Sequence, residues 1–455
     1  MGSKVELGSS LPYATIPSAS SGPNKTPRSS LARNMGRVLL SFLLACVFVF
    51  LTNAHRCNRR PLTLQQRVDK ILSETPLIDG HDDLPIFIRS LFHNHIYGDD
   101  FKVPFTEGGL KGHVDLPRLA QGKVGGTFWS VFVECPENWS DFSDATYVTS
   151  VRETFEQVDV TRRLQQAYSD TFSAPPNGTT ALKAFREGKI ISPLGIEGLH
   201  SIGNSLSHLR AFYSLGVSYA TLTHNCHNRY ADAALVEFPG GVKKADPLWH
   251  GVSEAGKDLI FEMNRVGMIV DLSHVSADTM RHVLGAGRDD WAGSRAPVMF
   301  SHSSAYAVCP HPRNVPDDVL ELVKRRNSIV MINFSPDFVS CTKSNNPYGL
   351  PDFDPVHATL EHVVDHIMHI GNLIGFDYIG LGSDFDGIPT VPRGLEDVSK
   401  FPDLIAELLR RGVSDEDAGK VAGGNLLRVW REVDEVALRL QAEGALPVED
   451  QLHSE

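Results

Sequence analysis

From residue 76 onward, short apolar runs of strand length alternate with longer stretches of helical spacing. The strand candidates are 77–78, 127–133, 191–196, 219–223, 268–272, 297–300, 329–334 and 378–381. Each is nearly continuous in apolar character, the mark of strands buried on both faces and paired in parallel. Between them, 205–215 and 253–266 space their apolar residues as amphipathic helices do. Eight such units predict an α/β fold, a (β/α)8 barrel with its chemistry at the carboxyl ends of the strands. A doubly wound open sheet would use the same elements but string the polar residues after the strands along a crevice.

Ahead of residue 76 the pattern changes. Residues 1–37 are rich in Ser, Pro, Gly and Asn, with basic Lys4, Lys25, Arg28, Arg33 and Arg37. Such a stretch cannot bury a core and reads as a disordered cytoplasmic tail. Residues 38–54 carry no formal charge and are mostly apolar, at the short end of the ~17–25 residues that cross a bilayer. With basic residues before it, this span is expected to be a single-pass anchor that leaves the catalytic part extracellular or lumenal. If it is instead a cleaved signal peptide, the remainder is secreted. A linker over 55–67, a barrel over 68–440 and a C-terminal tail over 441–455 complete the expected organisation.

The formal net charge of -12 excludes nucleic acid as a partner, because a phosphate backbone needs clustered Lys and Arg. Six cysteines occur, none in a C-x-x-C pair. Cys46 lies in the apolar span and Cys57 just beyond it. The remaining four are compatible with two disulfides and an oxidising compartment. Asn138, Asn177 and Asn333 each begin an N-x-[ST] triplet and are candidate glycosylation sites.

The polar residues just behind the strand candidates carry the chemistry. His81 and Asp83 come after the first, Glu197 after the third, His224 after the fourth, His274 after the fifth, His302 after the sixth and Asp384 after the eighth. Any one of these alone is more often a helix cap or loop hydrogen-bonder than a ligand. Seven at one kind of position change that balance. His311, His357, His362, His366 and His369 lack this placement and read as surface or structural residues. Histidines and carboxylates without thiolates match a catalytic, water-retaining metal site.

These segments resemble the membrane (renal-type) dipeptidase family of zinc peptidases, from about Val68 to Val433. The resemblance runs through Ile78-Asp79-Gly80-His81-Asp82-Asp83, Gly195-Ile196-Glu197-Gly198 and Thr221-Leu222-Thr223-His224-Asn225. It continues through Asp271-Leu272-Ser273-His274, Phe300-Ser301-His302, Arg313-Asn314-Val315-Pro316-Asp317, Gly382-Ser383-Asp384-Phe385-Asp386-Gly387 and Gly424-Asn425-Leu426-Leu427-Arg428-Val429.

The resemblance implies two Zn2+ per chain, one on His81 and Asp83, the other on His274 and His302, with Glu197 bridging. It implies that a metal-bridging hydroxide cleaves the peptide bond of dipeptides, with His224 and Arg313 contacting substrate and Asp384 as acid/base and substrate-contacting carboxylate. It further implies Cys135–Cys226 and Cys309–Cys341 disulfides, and members of the family are often homodimers. Leu199, Ser218 and Phe338 depart from the family pattern, which bears on substrate preference and removes no ligand. Two other readings stand beside this one: another metal-dependent amidohydrolase, acting on N-acyl amino acids or cyclic amides, and an inactive surface-binding barrel.

Overall fold

A computed structural model describes residues 39–47 and 61–450. Its centre is a closed ring of parallel strands, β1 (Leu77–Asp82), β2 (Val124–Phe132), β3 (Leu194–Glu197), β4 (Val217–Thr221), β5 (Ile269–Asp271), β6 (Met299–Phe300), β7 (Ile329–Ile332) and β8 (Ile379–Leu381). The strands succeed one another round the ring in chain order, and Asp79 opposite Leu381 closes it. The expected (β/α)8 barrel is therefore the fold. Every predicted apolar run contributes a strand, with ends moved by a few residues.

The largest move is at β1, which runs on through Gly80, His81 and Asp82. Its pairing with β2 slips between Asp79 and Asp82. Polar residues are tolerated there because the loop after the adjoining strand satisfies them: Asp79 accepts from Ser383 N at 2.8 Å and from Ser383 Oγ. At Gly80 a Cβ would press on the end of the Met331 side chain and on Ser301 O at 3.2 Å, so a larger residue there requires Met331 to shift.

Two apolar layers hold the ring. Ile78, Phe128, Tyr219, Ile269, Met299, Ile329 and Met331 pack with Leu426, Val429 and Trp430. The larger layer joins the outer faces of the strands to the surrounding helices. Five of those helices matter below: α1 (Leu64–Glu74), α2 (Leu84–Phe92), α3 (Glu254–Val266), α4 (Leu360–Ile374) and α5 (Asn425–Ala442). Helix α1 starts at a capping box in which Thr63 and Gln66 each bond the other's backbone N–H. Gly267 ends α3 in the left-handed region, φ 96°. Helix α5 closes one end of the ring, with the Phe128 and Trp430 rings 4.9 Å apart. Beyond α5, Asp450 accepts from Leu206 N (2.7 Å) and Ser207 N (3.0 Å), which docks the segment that follows the helix.

The expected transmembrane anchor is overturned. Among the described residues no helix is long and apolar enough to cross a membrane. The helical residues 39–47 rise only about 14 Å at ~1.5 Å per residue, against an apolar thickness of ~30 Å. The single-pass topology, and the membrane as a partner through it, fall with that span. The expected tail over 1–37 and residues 48–60 lie outside the described residues.

Candidate active site

The side chains singled out by their place after the strands converge at one mouth of the barrel. His81 lies in β1, and Asp83 is the residue before α2. Glu197 ends β3, and His224, His274, His302 and Asp384 come after β4, β5, β6 and β8. His274 and Asp384 both have φ 66°, a backbone state unusual for residues with a Cβ and concentrated at functional sites. Backbone bonds hold both: His274 O accepts from Ala234 N at 2.7 Å, and Asp384 N donates to His81 O at 3.0 Å.

Glu197 lies at the centre. Its Oε1 is 2.9 Å from His274 Nε2 and 3.4 Å from His302 Nε2, while its Oε2 is 3.6 Å from His81 Nε2. His81 Nε2 is also 3.3 Å from Asp83 Oδ2. The two carboxylate oxygens thus face two separate sets of donors. Among the described residues, clusters able to hold a cation include His81, Asp83 and Glu197, then Glu197, His224 and His274, and His81, His302 and Asp384. His81 Nε2 and Asp83 Oδ1 are buried with no hydrogen-bond partner.

Burial, then the neighbouring cations, holds His224, His274 and His302 well below the ordinary imidazole range, so their lone pairs are free to ligate. At His81 burial opposes the charge, yet Tyr219, Asp83 and Glu197 together raise its pKa. That corner of the site calls for positive charge. Burial raises the Asp83 and Asp384 carboxyls and lowers Arg313 to about 10. Asp83, Glu197, His224, His274, Arg313 and Asp384 line a cavity of about 550 Å³, together with Phe87, Phe132 and Phe338.

Residues 65–444 match the membrane dipeptidase family, peptidase family M19. The chain belongs to this family. Dipeptidase tcpJ of Claviceps purpurea (strain 20.1) is 47% identical over 370 residues, covering 81% of this chain and 79% of its own. Dipeptidase aclJ of Aspergillus oryzae (strain ATCC 42149 / RIB 40) is 44% identical over 428 residues, covering 92% and 93%. Among solved structures, the probable dipeptidase PvdM from Pseudomonas aeruginosa shares the fold, with a TM-score of 0.69 at 22% identity over 83% of this chain and 100% of its own. The chain is a metallo-dipeptidase, and metal-dependent hydrolysis of dipeptides is its chemistry.

Around the dipeptidase site a second layer of polar groups fixes the histidines. Tyr219 Oη is 2.9 Å from His81 Nδ1, Ser301 Oγ 2.7 Å from His302 Nδ1, and Asn225 Oδ1 3.1 Å from His274 Nδ1. Asp271 anchors that layer by accepting from Ser301 Oγ and Thr221 Oγ1, each at 2.6 Å. Cys135–Cys226 and Cys309–Cys341 are both bonded as expected. Cys135 Sγ lies 3.9 Å from His224 Nδ1, so one disulfide braces that histidine. Arg313 is buried, donates from Nη2 to His302 O at 3.4 Å, and lies over the Phe338 ring at 4.9 Å.

Asn138 and Asn177 are exposed. Asn333 is not a glycosylation site: it is fully buried, and its amide donates to Asp384 Oδ2 at 2.9 Å. It stands at the candidate site, directly after β7. The polar residue behind an apolar strand was the signal available for it. Of the histidines set aside as surface or structural, His311 and His366 are buried, and the others are partly or fully exposed.

Proposed function

We propose that two zinc ions serve this dipeptidase, one held by His81 and Asp83, the other by His274 and His302, with Glu197 shared between them. The donors support that reading. They are imidazoles and carboxylates without thiolates, the set used by catalytic zinc. The partnerless His81 Nε2 and Asp83 Oδ1 are buried polar atoms of the kind a cation satisfies. The observation that carries the assignment is the division of Glu197, one oxygen toward His274 and His302 and the other toward His81. When bound, such a pair polarises a carbonyl oxygen and lowers the pKa of water from ~15.7 toward ~7.

The chain's own residues do the rest. Asp384, with its carboxyl raised by burial, accepts the proton of the attacking water and hands it to the leaving amine. His224, kept neutral by burial, hydrogen-bonds the scissile carbonyl oxygen. Arg313 receives the terminal carboxylate. Its Nε has no partner within the protein, and a planar guanidinium matches a carboxylate. A clamp on that terminus restricts substrates to very short peptides.

Elemental analysis of the purified chain, paired with hydrolysis assays before and after chelation, tests the assignment. Two zinc ions per chain are expected, with activity lost on chelation and restored by zinc. A single bound ion at full activity rules out the shared Glu197. Hydrolysis of N-acyl amino acids but not dipeptides rules out the substrate.

A further inference from the structure

Helix α2 is apolar on both of its faces. Leu84, Pro85 and Ile88 are buried in the core. Ile86, Phe87 and Leu91 line the active-site cavity, together with Ile388 from the loop after β8. Its polar positions are Arg89, paired with Glu153 and Glu156, and Ser90, which lines the same cavity. Here the second face meets the cavity, and Leu91 is 42% exposed. Apolar side chains left facing a binding cleft mark where the apolar part of a ligand is received.

We propose that the preferred substrates are dipeptides whose amino-terminal residue bears a large apolar side chain, seated against Ile86, Phe87, Leu91 and Ile388. The proposal rests on the dipeptidase reading with Arg313 at the terminal carboxylate. Arg313 comes from the loop after β6, three strands round the ring from β1. A dipeptide held there by its carboxylate extends its amino-terminal residue toward β1 and β8. On that side Asp386 lines the cavity, with a fully buried side chain whose Oδ2 has no partner. Its other oxygen accepts from His113 N at 2.7 Å. The Oδ2 oxygen lies beneath the wall of the cavity, on the side where the substrate's α-ammonium is placed. The cavity of about 550 Å³ is of a size that holds drug-sized ligands, ~300–1,000 Å³, and a glycyl dipeptide leaves most of it empty.

The test compares kcat/KM for Phe-Ala and Gly-Ala on the zinc-loaded full chain. Phe-Ala is expected to exceed Gly-Ala at least about tenfold, the range that differences in apolar fit produce. Leu91→Ser and Phe87→Ala should each reduce that ratio at least about threefold. Leu91→Ser alters a surface side chain, so folding is not at stake in it. Equal efficiency on the two dipeptides, or an unchanged ratio in both variants, overturns the apolar subsite while leaving the dipeptidase reading intact. Failure of the zinc-loaded chain to cleave either dipeptide overturns both.

Discussion

Asn333 donates to Asp384 Oδ2 at 2.9 Å, and both residues are buried. Removing that donor takes a stabilising bond from the charged carboxylate, which raises its pKa further. Asn333→Ala is therefore expected to lower kcat about tenfold and to move the acid limb of the pH–rate profile upward, with metal content unchanged. A lowered kcat with an unmoved profile would make Asn333 merely structural. Glu197→Gln removes the charge shared by both donor sets, so turnover and metal content should fall together, as assay and elemental analysis can show. Full activity with two metals bound would refute the shared role. The main site residues were legible because each stands behind an apolar strand, where a polar side chain is conspicuous. Asn333 has the same placement, but its N-x-S triplet suggested a different and surface role. Tyr219 and Asp271 were not legible. Their partners lie 138 and 50 positions away, at His81 and Thr221, so only folding reveals the pairing.

Among the elements, the strands were readable because both faces of each are buried, which leaves apolar runs in the sequence. The extension of β1 through His81 was not, since its polar groups are satisfied by Ser383, just after a strand some 300 residues later. The apolar run at 38–54 misled in the opposite sense. Composition resembled a membrane span, but the described helical part is too short for one. The two disulfides offer a comparison between elements. Cys135–Cys226 ties the loops after β2 and β4 across 91 positions, and Cys309–Cys341 ties those after β6 and β7 across 32. Loop-closure entropy makes the longer staple worth about 1 kcal/mol more. Urea denaturation of the Cys135→Ser/Cys226→Ser and Cys309→Ser/Cys341→Ser pairs should show that order. The first pair should also raise KM, because His224 loses its brace. A larger stability loss from the second pair would contradict the entropic account.

For the whole molecule, acid is expected to weaken the fold through histidines buried in the neutral form. His366 accepts from Ala305 N at its Nδ1 (3.0 Å) and donates from Nε2 to Val339 O (2.8 Å), so protonation breaks a bond as well as burying a charge. Burial first holds both His366 and His200 down at about 4, against ~6.5 in an unfolded chain. As pH falls from ~6.5 the unfolded chain takes up protons that the folded chain refuses, so stability drops across the window down to about 4. At ~1.4 kcal/mol per pKa unit, each histidine removes about 3 kcal/mol by the bottom of that window. Asp434 acts in the other direction. Burial raises it to about 6, as it does Asp79, so the folded chain takes up those protons first as pH falls. That offsets part of what His366, His200 and the other buried neutral histidines, such as His311 at about 3, remove. Urea midpoints should therefore decline from pH 7 to pH 4. His366→Gln keeps a donor for Val339 O and cannot titrate, so it should flatten that decline by about 3 kcal/mol. A decline just as steep in the variant would remove His366 from the account and leave the acid sensitivity to other groups.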